Sequence, residues 1–159
     1  MRLAKAAATL DVLCGGRLIL GVGVGVIEQE FNALGSSYAD RGAITDEAIA
    51  IMQVLWTQAV PSHDGRLYHF SGMPFAPKPV QKPHIPIVVG GVSRAAIRRA
   101  ARVGNGWHPM AMPPEVVHNL QTFASLGVET VVIAPATGNV QGMISMLEMI
   151  AREVMPAFT

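Results

Sequence analysis

The segment GGRLILGVGVGV, residues 15–26, sets glycines at 21, 23 and 25 at the end of an apolar run. Bare backbone repeated at that spacing suits a phosphate or a planar cofactor, because no Cβ holds the ligand away from the peptide groups. Three readings compete. A dinucleotide-binding fingerprint needs G-x-G-x-x-G. Counted from Gly21 its sixth position is Val26, and counted from Gly23 it is Glu28. An acidic ribose partner belongs about 20 residues further on, and Asp46 or Glu47 matches it only loosely. No helix clearly opens at the turn. The second reading is close packing of a glycine-containing strand. The third is a barrel strand whose glycine end lets a planar cofactor reach the backbone.

A second candidate site lies in IPIVVGG, residues 85–91, followed by Ser93. In the order strand, Gly90-Gly91, Ser93, helix, the amides of Gly90, Gly91 and Ser93 suit an anion. Arg94 would add a charge-assisted bond. The plain alternative is a tight strand-to-helix turn. Other reactive types read as structural. His63, His69, His84 and His118 lack metal-ligand spacing, so no metal site is expected. Asp46 and Glu47 read as first-turn acids suited to a helix dipole. Arg94 and Arg98, one turn apart, read as a solvated face and Trp107 as core or rim. His108, before Pro109, reads as a hydrogen-bonded strand-end residue, and Met143, Met146 and Met149 as core. Cys14 is the one cysteine and has no activating partner nearby. No intrachain disulfide can form, which suits a reducing cytoplasm.

The elements that must position these residues alternate. Residues 3–13 form a short helical pattern closed by Gly15-Gly16. Residues 17–24 are apolar on both faces, as a parallel sheet requires. TDEAIAIMQVLW, residues 45–56, is the clearest helix, with Ile44, Ala48, Ile49, Met52 and Leu55 near helical spacing and Thr45 or Asp46 as cap. Asp64-Gly65 between strand-like flanks predicts a hairpin. Prolines at 77, 79, 83 and 86 make the next stretch a loop, so residues 57–84 form an insertion. A strand at 85–90, a helix from Ser93 to Gly104, a strand at 105–110, a helix with Pro113 and Pro114 near its start, a strand at 128–133 and a helix at 141–154 follow. Strands alternating with helices predict an α/β fold with a parallel sheet, in a single domain over residues 1–159.

Composition narrows the partners. Twelve Lys+Arg against eleven Asp+Glu, without a basic block, argue against nucleic acid. The longest apolar stretch, residues 18–27, is interrupted by glycines and falls short of the roughly 20 residues a membrane span needs. Half of the residues are nonetheless hydrophobic, which predicts a buried parallel sheet or a face covered by another subunit.

LAKAAATLDVLCGGRLILGVGVGVIEQEF, RGAITDEAIAIMQVLWT, HDGRLYHF, FAPKPVQKPHIPIVVGG and SRAAIRRAARVGNGWHP, in this order and spacing, resemble the luciferase-like monooxygenase family. The likeness resumes at LGVETVVIAP and EVMPAF. Members include flavin-dependent monooxygenases and oxidoreductases that use the deazaflavin coenzyme F420. The resemblance implies a (β/α)8 barrel with its cofactor at the C-terminal strand ends. With four strands in place of eight, it implies parallel (β/α) units of a TIM-barrel type forming about half a barrel.

By this resemblance Gly23 and Gly25 line the pocket of the flavin or deazaflavin ring. Gln29 falls where some F420-using members carry a cofactor-contacting Asn. Val26 falls where the family's sugar-phosphate dehydrogenases carry a catalytic Glu, which argues against their chemistry. Val89, Gly90, Gly91, Ser93 and Arg94 would meet the cofactor phosphate, and His108 and Met110 its ribityl and phosphate part. No catalytic residue is assigned. The expected function is an oxidoreductase that binds F420 or flavin mononucleotide (FMN) and transfers a hydride or oxygen to a small organic substrate. The alternative is a non-catalytic remnant or assembly module that keeps the scaffold. Because four strands cannot close a barrel, a homodimer is expected.

Overall fold

A computed structural model describes residues 1–109 and Arg152. Met110, His118, the strand expected at 128–133, the helices expected beyond Pro113 and the methionines of the last one lie outside the described residues. The chain divides into two compact units, Met1–Ile87 and Val88–Thr159.

In the first unit, α1 (Arg2–Leu13) packs on α3 (Arg41–Thr57). Ala4, Ala7 and Ala8 are the buried apolar residues of α1, and their small side chains let the axes approach closely. Ile49, Met52, Leu55 and Trp56 of α3 are buried in this core. The Trp56 indole N–H donates to the Ala4 carbonyl at 2.9 Å, so a buried polar tip is satisfied on the neighbouring helix. As the glycine pair predicted, α1 ends at once: Gly15 and Gly16 have φ of 65° and 78°, and the Gly16 N–H returns to the Asp11 carbonyl at 2.8 Å.

The strand β1 (Leu20–Val22) is shorter than the predicted 17–24. Its Leu20 N–H donates to the Pro86 carbonyl at 2.9 Å. A six-residue helix that the sequence reading missed follows, α2 (Glu28–Ala33). Two turns are too few for apolar periodicity to show.

The helix α3 starts four residues before the expected Thr45. Its N-cap Asp40 makes no capping bond, because its carboxylate is engaged by Ser37 at 2.9 Å and Arg66 at 3.1 Å. Thr45 lies inside the helix, donating back to the Arg41 carbonyl at 2.8 Å. Asp46 and Glu47 are therefore not first-turn acids.

The predicted hairpin forms from β2 (His63–Asp64) and β3 (His69–Phe70), antiparallel, with His63 opposite Phe70 and Asp64 opposite His69. Its connection is four residues, 65–68, closed by Gly65 N–H to the Tyr68 carbonyl at 3.1 Å, in place of a tight Asp-Gly turn. The proline-rich loop is anchored to both helices. The Lys78 ammonium donates to the Leu55 and Gln58 carbonyls at 2.7 and 2.6 Å, meeting acceptors that the end of α3 leaves open. Asp11 of α1, fully buried, accepts the backbone N–H groups of Val80 and Gln81 at 2.8 and 3.2 Å and the Gln81 side-chain amide at 2.7 Å.

The described part of the second unit is one strand-helix-strand motif. β4 (Ile87–Gly90) enters it from the first unit, and α4 (Arg94–Val103) connects it to β5 (Gly106–His108). The two strands are parallel, with Val88, Val89 and Gly90 opposite Gly106, Trp107 and His108. A parallel pair needs a crossover of this kind. This is the repeating unit of an α/β barrel, as predicted. Ser93 caps α4 through its hydroxyl, which accepts the Ala96 N–H at 3.2 Å, and Gly104 ends it. Arg94 and Arg98 are exposed, the solvated face expected from their spacing, whereas Arg99 is buried.

Candidate functional site

At the C-terminal end of β1 the three glycines behave differently. A Cβ built on Gly21 or Gly23 would meet nothing within 4 Å, so the backbone there is open on its bare side. Gly25 has φ of 78°, and a Cβ on it would strike the Phe31 ring at 2.8 Å. Gly25 is thus needed by the fold itself: α2 lays Phe31 across its bare face. Gly25 turns the chain, whereas Gly21 and Gly23 leave room beside the strand. Gln29 is exposed on α2.

The segment after the turn is internally braced. Phe31 meets Tyr38 edge to face, with ring centroids 5.4 Å apart and planes at 73°. The Tyr38 hydroxyl donates to the Val26 carbonyl at 3.3 Å. Arg41 stacks its guanidinium 3.9 Å above the Tyr38 ring and donates to the Tyr38 carbonyl at 2.7 Å. Val26 itself is 74% exposed.

In the second unit, the end of β4 is locked by β5. The Gly91 N–H donates to the His108 carbonyl at 3.0 Å. The Gly91 carbonyl accepts the Trp107 indole N–H at 2.7 Å. Gly91 has φ of 115°, and a Cβ on it would meet the Ala96 Cβ at 3.1 Å. Both the turn and its closeness to α4 require glycine. Because its N–H already has a carbonyl partner, Gly91 has no amide to offer an anion. Ser93 uses its hydroxyl for the cap. The donors that a helix start leaves without intrahelical partners are here the amides of Ser93, Arg94 and Ala95, with the exposed Arg94 side chain beside them. Val89 is buried in the strand pair, and the half-buried His108 contributes its backbone to the lock. Trp107, read from sequence as core or rim, is buried and is also the donor that fixes Gly91. An indole two residues before a proline carries no sequence signal for that role.

Two polar clusters in the first unit escaped the sequence reading. Glu47, in the middle of α3, accepts the backbone N–H of Tyr68 at 2.7 Å and of Leu67 at 3.0 Å, and meets His63 Nε2 at 3.3 Å. Burial pushes the Glu47 carboxyl up, but the Tyr68 and Leu67 amides and His63 outweigh it, leaving it below the ordinary 4.5. Asp11 follows the same logic. Burial raises its pKa, yet the hydrogen bonds from Gln81 and Val80 prevail and hold it below 3.8. Both carboxylates fasten distant chain segments and neither lies at a strand end. A cavity of about 520 Å³ between α1, α3 and the hairpin is lined by Leu3, Ala48, Ile51, Met52 and Tyr68 among others, and by none of the strand-end residues. Among the described residues no group of three His, Cys, Asp or Glu could hold a metal, and no helix is long and apolar enough to cross a membrane.

The parallel strand-helix-strand unit of β4, α4 and β5 is the repeat from which α/β barrels are built. The luciferase-like monooxygenase family model matches residues 1–123, and the chain belongs to that family. It is 38% identical over 108 residues to an FMNH(2)-dependent dimethylsulfone monooxygenase of Pseudomonas putida, covering 66% of this chain and 30% of that one. The chain spans less than two fifths of the length of the curated relatives it matches. Among solved structures, monooxygenase RslO1 from Streptomyces bottropensis superposes with a TM-score of 0.72 at 22% identity, over 98% of this chain and 53% of its own. An F420-dependent secondary alcohol dehydrogenase, solved with an F420-acetone adduct, superposes with a TM-score of 0.66 at 23% identity, over 79% of this chain and 39% of its own. These likenesses establish the fold as part of a TIM-barrel architecture.

Proposed function

We propose that the chain is the cofactor-binding part of an oxidoreductase that uses FMN or coenzyme F420 and acts on a small organic substrate. The observation that carries this reading is the open backbone at Gly21 and Gly23, at the C-terminal end of a barrel strand. A flat ring system can lie against peptide groups there without meeting a side chain. When bound, a reduced flavin supplies electrons to dioxygen, and F420 supplies a hydride. The protein's part is to hold and orient. Gly23 would bear the ring and Gln29 a polar ring edge, while Gly25 seats Phe31 against the turn. In the second unit Val89, Gly90 and Gly91 would set the turn. Taken by itself, that turn offers the Arg94 and Ala95 amides and the Arg94 guanidinium to an anion, with His108 on the neighbouring strand β5. The dimethylsulfone monooxygenase relative favours the oxygen-using branch, and the alcohol dehydrogenase neighbour keeps the hydride branch in view.

The test is a titration of the chain with FMN and, separately, with F420, read by cofactor fluorescence. Saturable binding of one of them is expected, weakened by Gly23→Leu. Absence of saturable binding for both overturns the proposal. A homodimer belongs to the same proposal. Leu10 and Leu13 of α1 are 49% and 78% exposed, and sedimentation velocity at micromolar concentration tests self-association directly.

A further inference from the structure

The cavity of about 520 Å³ between α1, α3 and the hairpin lies within the first unit. Its volume falls in the range of small-molecule pockets, which are mostly apolar and carry a few polar groups. The floor is Ala4, Ile51 and Met52, all buried. The rim is Leu3, Leu67 and Tyr68, which stay 57%, 38% and 48% exposed. Single exposed apolar side chains are ordinary, but these border one opening over one buried floor. Among the described residues no Asp, Glu, Lys or Arg side chain lines it.

The hairpin wall is already fixed. Glu47 of α3 accepts the Leu67 and Tyr68 N–H groups at 3.0 and 2.7 Å. Phe70, also in the wall, stacks on His63 with ring centroids 5.9 Å apart, and His63 meets the same Glu47 carboxylate. A wall held by backbone bonds needs little further ordering when a ligand arrives. The Tyr68 and Phe70 rings and the Met52 thioether suit a flat aromatic body.

His69 borders the cavity and supplies a polar handle. Its Nδ1 lies 2.7 Å from Asp64 Oδ1. An ionised carboxylate only accepts, so Nδ1 carries the proton and, in the neutral ring, Nε2 is an acceptor. Both carboxylates of this corner are engaged, Asp64 by His69 and Glu47 by the hairpin amides. A charged guest would leave water for a lining without a counter-charge.

We infer that this cavity binds a small, uncharged aromatic molecule that carries a hydroxyl, with the rings and Met52 holding its body and His69 Nε2 accepting its O–H. None of the strand-end residues lines the cavity, and cofactor binding is not required for it.

The experiment uses the whole chain, labelled at its aliphatic and methionine methyls, at about pH 8. Four probes share one ring system: 2-naphthol, naphthalene, 2-naphthoate and 2-naphthylmethylammonium. Methyl chemical shifts locate each probe and give its affinity. 2-Naphthol is expected to shift the Leu3, Ile51, Met52 and Leu67 methyls. It should bind about three- to tenfold more tightly than naphthalene, the worth of one hydrogen bond, and about tenfold or more tightly than either ion. His69→Phe, at a side chain 62% exposed, is expected to abolish the preference for naphthol over naphthalene while both still bind. Ala48→Phe, which fills the cavity from α3, is expected to abolish binding of both. Absence of saturable naphthol binding overturns the inference, as does a response confined to other methyls. So does naphthoate or the ammonium probe binding as tightly as naphthol, or a naphthol preference that is absent from the unmodified chain or survives His69→Phe. A dimer in sedimentation velocity that Leu67→Ser breaks, without naphthol binding to the unmodified chain, makes the rim an interface between copies and also overturns it.

Discussion

Replacing Asp11 tests how this chain is held together. The carboxylate lies near the C-terminal end of α1, where a helix dipole disfavours an acid, and it is fully buried. Its position makes sense only through residues 69 and 70 places further on, Val80 and Gln81. Asp11→Ala leaves two backbone N–H groups and one amide donor without their acceptor, although the Gln81 amide keeps its bond to the Leu18 carbonyl at 2.7 Å. An orphaned donor costs about 1–3 kcal/mol, and the three are not additive because partly exposed Val80 and Gln81 can recruit water, so the expected loss is about 3 kcal/mol. For a chain of this size that lowers Tm by about 6–12 °C. Asp11→Asn is milder but not neutral. Its oxygen can serve the two backbone donors, and its NH2 then faces the Gln81 amide. Turning that amide over would satisfy the new NH2 but set Gln81 Oε1 against the Leu18 carbonyl.

The pH dependence follows from the lowered pKa. The folded chain binds this proton more weakly than the unfolded chain, so the carboxylate contributes its full stability above 3.8 and loses it as pH falls through the depressed folded value. The Tm gap between wild type and Asp11→Asn should therefore be widest near neutrality and close in acid. Thermal melts followed by circular dichroism at neutral and acidic pH measure it. A Tm for Asp11→Ala within about 2 °C of wild type would refute the reasoning, as would a gap to Asp11→Asn that does not change with pH.

Glu47→Gln should lower hydrogen-exchange protection of the Leu67 and Tyr68 amides by about tenfold while leaving the core amides of α3 unchanged. In wild type the same protection should fade as pH drops through the lowered Glu47 pKa, since the bonds need the carboxylate. Gly91→Ala meets both an unfavourable φ and the Ala96 methyl, and denaturant melts should show a loss of about 1–3 kcal/mol. Gly23→Ala, with open space at its Cβ, should stay within about 0.5 kcal/mol of wild type in the same melts and still weaken cofactor binding. Ser93→Ala removes the cap of α4 and should cost about 1 kcal/mol by urea unfolding.

The amino-acid order by itself determined whatever rests on local geometry. The helical pattern of residues 3–13, the Gly15-Gly16 stop, the apolar face of α3 and the Ser93 and Gly104 bounds of α4 depend on neighbours within one or two helical turns. Their periodicity and capping chemistry are written in consecutive residues. The Asp64-Gly65 hairpin and the proline loop were legible for the same reason, and family membership came from the order of such segments. Only the tertiary structure decided what long-range partners require. Asp11 and Glu47 look like ordinary helix acids until loops 20 to 70 residues away present their N–H groups. Gly25 joins Gly21 and Gly23 in one motif by sequence, yet Phe31 claims it and leaves the other two open. Gly91 resembles an anion-binding glycine until His108 and Trp107 close on its N–H and its carbonyl. A buried donor or acceptor takes whichever partner the fold brings within about 3 Å, and that choice leaves no period in the sequence from which to read it.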